Sequence, residues 1–385
     1  MAERFSHPIH FPQEWGTFVE DAIGQYERRY EAPVPDGELQ EQVWYRIPIP
    51  EGMSGDGSEY HIYVKKAASR RLCIFLSGGG MAWNAFTAAR PVTGGKVAAG
   101  LPNYYWNNLR PFTQIMNINT GITEIGNPKN PFDDWNFVVI TYATGDLHIG
   151  DTEFPYEAED GTQQVLHFHG HRNFLAAMQI CADMFPEAER LLIAGDSAGG
   201  FAVPALADEI LTSWYPDCRE VTLLSDSAQL FYRRWKSTIR DVWKAAPEKW
   251  EAVRTNNLTV DWYRQFYEKY GDAVRYLYAG SVRDYLLSAY YNDVTHKEYS
   301  TDRDVQEQFF RNMRGMVRDL KKLTPAFSMF VYDFRNLRFL LGGTVHTAVR
   351  QKRFYFKNHG GPSMAGWLAD AERGVLCDVG TELLM

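Results

Sequence analysis

Residues 190–210, RLLIAGDSAGGFAVPALADEI, constrain the fold more than any other stretch of the 385-residue chain. Leu191, Leu192, Ile193 and Ala194 form a continuous apolar run, as in a strand buried on both faces of a parallel sheet. Gly195, Gly199 and Gly200 follow, and Phe201, Val203, Leu206 and Ile210 then recur at helical spacing. The pattern predicts strand, sharp turn and helix, with Ser197 at the apex of G-x-S-x-G. Small neighbours avoid clashes in so tight a turn. The chemical reading is a presented nucleophile, and the plainer one is a βα turn whose serine only caps the helix. The strand–turn–helix context favours the nucleophile.

The rest of the chain extends that pattern. QVWYRIPI and YHIYVKK alternate as strands around the turn-rich PEGMSGDGS. RRLCIFLSGGG, WNFVVITYATGD and REVTLLSDSAQ read as buried strands that end in turns, and PAFSMFVYDF as a late strand. FHGHRNFLAAMQICADMF reads as a helix start and an amphipathic helix. Strands alternating with helices predict an α/β fold, a mostly parallel sheet with helices on both faces. The expected division is an N-terminal lead-in over 1–40, a core over 41–230, a helical cap insertion over 231–323 and the rest of the core over 324–385. The insertion rests on a stretch dense in Trp, Tyr and Arg at helical spacing. An ordinary helical face of the same domain would look the same.

A serine hydroxyl is a weak nucleophile until a base takes its proton and a third group orients that base. After an elbow of this kind the chain order is Ser, then Asp or Glu, then His. Only His296, His346 and His359 follow Ser197. His346, in the glycine-marked LLGGTVHTAVRQ, is the preferred base, with His359 of NHGGP next. Asp333 ends the run FSMFVY and is the preferred acid; Asp226, ending TLLSD, competes with it. Either could instead cap a helix. Oxyanion donors are expected from the backbone of Ala198 and from glycines of LSGGGMAWN, namely Gly79 and Gly80 among Gly78–Gly80. That run lacks the G-K-[ST] of a phosphate cradle. His167, His169 and His171 could hold a metal if Asp146, His148 and Asp151 joined them, but a polar loop and helix N-terminus near the active site is the plainer and preferred reading.

The balance of charge narrows the partners. A net charge of −8 gives no reason to expect a nucleic acid or an anionic membrane, and no apolar run approaches the length of a membrane span. The first residues lack the apolar core of a secretory signal, and the four cysteines are scattered without C-x-x-C. These features lead to the expectation of a cytoplasmic protein with reduced thiols.

Five stretches, LSGGGMAWNAFTAARP, DWNFVVITYATGDLHIGD, HFHGHRN, IAGDSAGG and GGTVHTAVRQKRFY, with GWLAD after the last, occur in the order seen in the pectin acetylesterase/Notum family. The resemblance spans roughly residues 70–370 and is weakest over 231–323. It implies an α/β-hydrolase fold and carboxylic-ester hydrolysis. It implies Ser197 as nucleophile, Asp333 as acid, His346 as base, and oxyanion donors among Gly79, Gly80 and Ala198. Trp83 and Asn84, beside the oxyanion stretch, are expected to line the substrate site. Where secreted relatives carry cysteines, this chain has Ala82, Ala88 and Ala143, which fits a reducing compartment. The expected enzyme is a cofactor-free and metal-free serine esterase, acting on acetyl groups of a carbohydrate or on a small ester. A longer-chain acyl esterase, a His-cluster metallohydrolase and a non-catalytic binding protein are the alternatives.

Overall fold

A computed structural model describes residues 31–109, 112–335 and 343–385. Most of the expected lead-in, residues 1–30, lies outside them. Eight strands form one sheet: β1 Trp44–Met53, β2 Glu59–Lys65, β3 Arg71–Leu76, β4 Asn136–Ile140, β7 Arg190–Asp196, β8 Glu220–Asp226, β9 Arg275–Ser281 and β10 Ser328–Tyr332. Their order is β1-β2-β4-β3-β7-β8-β9-β10. The six strands from β4 to β10 in that order run parallel, and β2 and β1 close one edge antiparallel. Two further strands, β5 Thr152–Glu157 and β6 Gln163–Phe168, pair as a separate hairpin.

The continuous apolar runs are explained by burial on both faces. Leu72, Ile74, Leu191, Ile193, Val221 and Leu223 face one hydrophobic cluster. Their neighbours Cys73, Phe75, Leu192, Ala194 and Leu224 face the other. On the first face lie α1 Gly170–Met184, α2 Ala198–Ser213, α3 Leu258–Tyr270, α4 Tyr285–His296 and α5 Arg303–Lys321, all contributing buried side chains to it. On the second lie α6 Met364–Glu372 and irregular segments around Ile122, Phe132 and Val349. Each strand thus separates two apolar layers, as in a mixed α/β protein built on a mostly parallel sheet. Among the described residues no helix is long and apolar enough to cross a membrane.

The stretch expected as a cap, 231–323, divides differently. β9 lies inside it and occupies a place in the main sheet between β8 and β10. Trp235, Trp243, Trp262 and Tyr263 are buried in the same cluster as the sheet residues. The aromatic density that suggested an insertion is therefore core packing. The consequence for the site is large, because the C-terminal end of β9 becomes available to chemistry.

At the opposite end of the strands, α6 buries Glu372 beside Thr222 and near Cys73, with Arg190 and Arg275 close by. Burial pushes this carboxyl from 4.5 up to about 7. The folded chain then holds a proton that the unfolded chain releases, so stability falls as pH rises from about 4.5 to about 7 and stays lower above it. Burial likewise raises Asp146 and Asp226 to about 6, with the same sign. Glu372→Gln is expected to remove the largest part of this loss, on the order of 3 kcal/mol at pH 8. Denaturant unfolding of both proteins at pH 5 and pH 8 checks it, the gain being several-fold larger at the higher pH.

Candidate active site

The turn after β7 has the geometry that its sequence predicts. Ser197 sits at φ 52° and ψ −123°, a left-handed backbone in which a non-glycine residue is strained. The glycines are required by contact rather than by φ. A Cβ on Gly199 would stand 1.9 Å from the Leu76 carbonyl oxygen, and one on Gly195 would stand 2.4 Å from the Gly199 oxygen. β7 and α2 can therefore approach β3 closely, and the turn holds Ser197 at the wall of a cavity of about 630 Å³.

His346 lines the same cavity. Its Nδ1 meets Oδ2 of Asp284 at 2.6 Å, and its Nε2 is buried without a hydrogen-bond partner among the described residues. Burial opposes charge on this imidazole, but Asp284, with Asp226 and Asp196 behind it, outweighs burial and raises its pKa above the ordinary value. Asp284 is itself buried, three residues beyond the end of β9, at the N-cap of α4. Its Oδ1 accepts from the N–H groups of Leu286 and Leu287, both at 3.0 Å, which leaves Oδ2 for the histidine. Thr344 fastens the two loops together. Its N–H donates to the Arg283 carbonyl at 2.9 Å, its hydroxyl accepts from the Arg283 N–H at 2.9 Å, and its carbonyl accepts from the Tyr285 N–H at 3.1 Å.

The preferred acid is corrected by this geometry. Asp333 does not meet His346; it pairs with His359 at 2.6 Å on an exposed part of the surface. The carboxylate on His346 comes from the end of β9 instead of β10. The competitor Asp226 does not reach the imidazole either, but it anchors the histidine loop. Its Oδ2 accepts from the N–H groups of Ala348 at 2.7 Å and Val349 at 2.9 Å, and its Oδ1 from the Tyr332 hydroxyl at 3.0 Å.

Gly78, Gly79 and Gly80 line the cavity beside Ser197. The Gly78 N–H is engaged by Oδ1 of Asp196 at 2.8 Å. The N–H groups of Gly79, Gly80 and Ala198 meet no acceptor among the described residues, so they are available to a developing oxyanion. Trp83 and Asn84 do not line the cavity. Trp83 is 3% exposed and packs edge-on against Tyr104 and Tyr290, while Asn84 caps the short helix Ala85–Ala88. Tyr104, Trp106 and Tyr290 take the places in the wall that the sequence reading gave to those two.

The metallohydrolase ligand set is not assembled. Asp146 spends its carboxylate on the Thr144 hydroxyl and the N–H groups of His148 and Gly170, and the His148 ring bonds the Ser77 carbonyl at 2.9 Å. His171 pairs with Glu209 at 3.1 Å. None of them lines the cavity.

A parallel sheet whose strand ends bring a strained serine, a carboxylate-bound histidine and free backbone N–H groups to one cavity defines an enzyme of the α/β class. The model of the pectinacetylesterase family matches residues 51–257, more than half of the chain, and the chain belongs to that family. It is accordingly a carboxylic ester hydrolase of the acetylesterase type. No curated relative matches the chain.

Proposed function

We propose that the chain is a serine esterase with an α/β-hydrolase fold, in which Ser197, His346 and Asp284 form the catalytic triad. The observation that carries this reading is His346 itself, bound at Nδ1 by a buried carboxylate, with an unpartnered Nε2, in the wall of the cavity that Ser197 also lines. Ser197 Oγ attacks the ester carbonyl while His346 Nε2 takes its proton. The N–H groups of Gly79, Gly80 and Ala198 hold the oxyanion, and the protonated imidazole returns its proton to the leaving alkoxide. Water then cleaves the acyl-serine by the same relay. Asp284 keeps the Nδ1 proton in place and stabilises the imidazolium. The order Ser, Asp, His along the chain is the order this fold uses.

The family favours O-acetyl esters of carbohydrate as substrate. The cavity wall favours a second reading, a longer acyl chain. Leu101, Ile115, Met116 and Leu286 line the cavity, and the first three are also exposed at the surface. A series of nitrophenyl esters separates the two readings: a steep fall in kcat/KM beyond acetate supports the acetylesterase, and a rise toward octanoate supports the longer-chain enzyme. We assign the chain to the cytoplasm, a reading supported by four cysteines that are all free thiols.

Incubation with a fluorophosphonate, followed by intact-mass spectrometry and peptide mapping, tests the mechanism. One adduct on Ser197, lost in His346→Ala, is the expected result. A folded protein that takes no adduct would overturn the serine mechanism.

A further inference from the structure

The β5–β6 hairpin carries a cluster that the ester chemistry does not use. Glu153 on β5 lies directly across from His167 on β6. His169, the residue after the end of β6 and the N-cap of α1, brings its ring beside that of His167. The two imidazoles stand edge to face with centroids 5.5 Å apart. The Glu153 carboxylate lies between them, one oxygen 2.7 Å from His169 Nε2 and the other against His167 Nδ1. That Nδ1 atom is buried, with the Glu153 carboxylate as its ion-pair partner. The three donor atoms lie within 4.8 Å of one another. Around a tetrahedral ion with ligand bonds of 2.0–2.1 Å the donors stand roughly 3.3 Å apart, so small side-chain rotations would close the set.

We infer that Glu153, His167 and His169 form a binding site for one divalent transition-metal ion of the zinc type, separate from the esterase cavity. Two imidazole nitrogens and one carboxylate suit zinc, nickel or copper better than magnesium or calcium, which take oxygen ligands. None of the three residues lines the cavity. The site goes beyond the expectation from the sequence that the chain takes no metal. It does not depend on which residues carry the ester chemistry.

Its role is structural. An ion held by both strands ties the hairpin together at the end where β6 runs into α1. The turn at the other end carries Glu159, whose carboxylate pairs with Arg90 at 3.2 Å and Lys96 at 2.7 Å. Those cations lie in the segment that contributes Val92 and Val97 to the cavity wall. The ion would therefore stiffen a buttress of the wall without touching the reacting atoms. Arg172 is the obstacle, with Nη1 3.4 Å from His169 Nε2 while its Nε pairs with Asp151. Half exposed, it is free to turn outward, and Arg172→Ala is expected to tighten binding.

The test uses the untagged, chelator-treated chain. Titration with zinc chloride in a calorimeter, followed by metal analysis after buffer exchange, is expected to give one equivalent bound and a Tm that rises with zinc. His167→Gln/His169→Gln should weaken that binding at least 100-fold. Glu153→Gln, at a half-exposed position, should weaken it about tenfold or more and provides a second variant with little risk to folding. Turnover of nitrophenyl acetate should be unchanged by chelator. Absence of bound zinc in the parent chain would overturn the proposal, and so would undiminished binding in folded His167→Gln/His169→Gln or in Glu153→Gln.

Discussion

Asp284→Asn is expected to lower kcat by about 10³–10⁴-fold, the scale seen when a triad carboxylate becomes an amide and the histidine loses its proper tautomer. The substitution keeps an oxygen for the N–H groups of Leu286 and Leu287, and Asn is as good an N-cap as Asp, so α4 should keep its start. What is lost is the charge facing His346 Nδ1. The acid limb of the kcat/KM profile should also move. Asp284 favours the charged imidazole, so without it the His346 pKa should fall and the limb shift to lower pH. Asp333→Asn is the control. Its carboxylate pairs with His359 on the surface, and the variant should stay within about twofold of the parent. Steady-state kinetics of the two variants across pH 5–9 decides the matter. A large loss in Asp333→Asn with a mild one in Asp284→Asn would return the acid to the end of β10.

The contrast between these aspartates shows how much of the site was legible. The elbow could be read because its constraint is local: an apolar strand, glycines where the backbone touches β3, and a helix, all within residues 190–210. His346 could be picked out as a candidate because few histidines follow Ser197. The carboxylate that meets His346 could not, because its identity depends on which strand end lies beside the histidine loop. That required placing RYLYAGS in the sheet, and its tyrosines continue the aromatic texture of the helices before it. An apolar run ending three residues before an aspartate that caps a helix was the available signal, and it was hidden by reading the whole stretch as an insertion. Trp83 and Asn84 failed for a simpler reason. Nearness in sequence to the glycine run says nothing about which way a side chain points. Asn84 and Thr87 do carry a visible cap, asparagine followed three residues later by a residue that bonds back, and this should have marked Asn84 as structural.

Arg350→Met is the second substitution with a large expected effect, and it acts on the frame beneath the site. The Arg350 guanidinium is buried and forks onto Asp196, with Nε at 3.0 Å and Nη2 at 2.7 Å. Its Nη1 reaches the Ser77 hydroxyl at 3.0 Å and Asn117 Oδ1 at 2.5 Å. Asp196 in turn takes the Gly78 N–H, so one cation joins the ends of β3 and β7, the Gly78–Gly80 stretch and the histidine loop. A lysine, with a single point of charge, could not replace that fork. Removing the arginine leaves the Asp196 charge buried without its partner, which costs about 3–5 kcal/mol. For a chain of this size that is a fall in Tm of roughly 4–6 °C. Loosening the Gly78 segment should also lower kcat, on the order of 10²-fold, because small displacements of the N–H groups proposed to hold the oxyanion are costly. The partner substitution separates the two effects. Asp196→Asn in the Arg350→Met background removes the stranded charge but keeps an oxygen for Gly78. The double variant should therefore be more stable than Arg350→Met alone and should regain part of its turnover. If Arg350→Met melts with the parent, or if Asp196→Asn adds its own full loss on top, the pair does not act as the clamp described. A clamp of this kind helps a strained serine turn persist, since three separate chain segments converge on one buried charge and fix Asp196, the residue before Ser197.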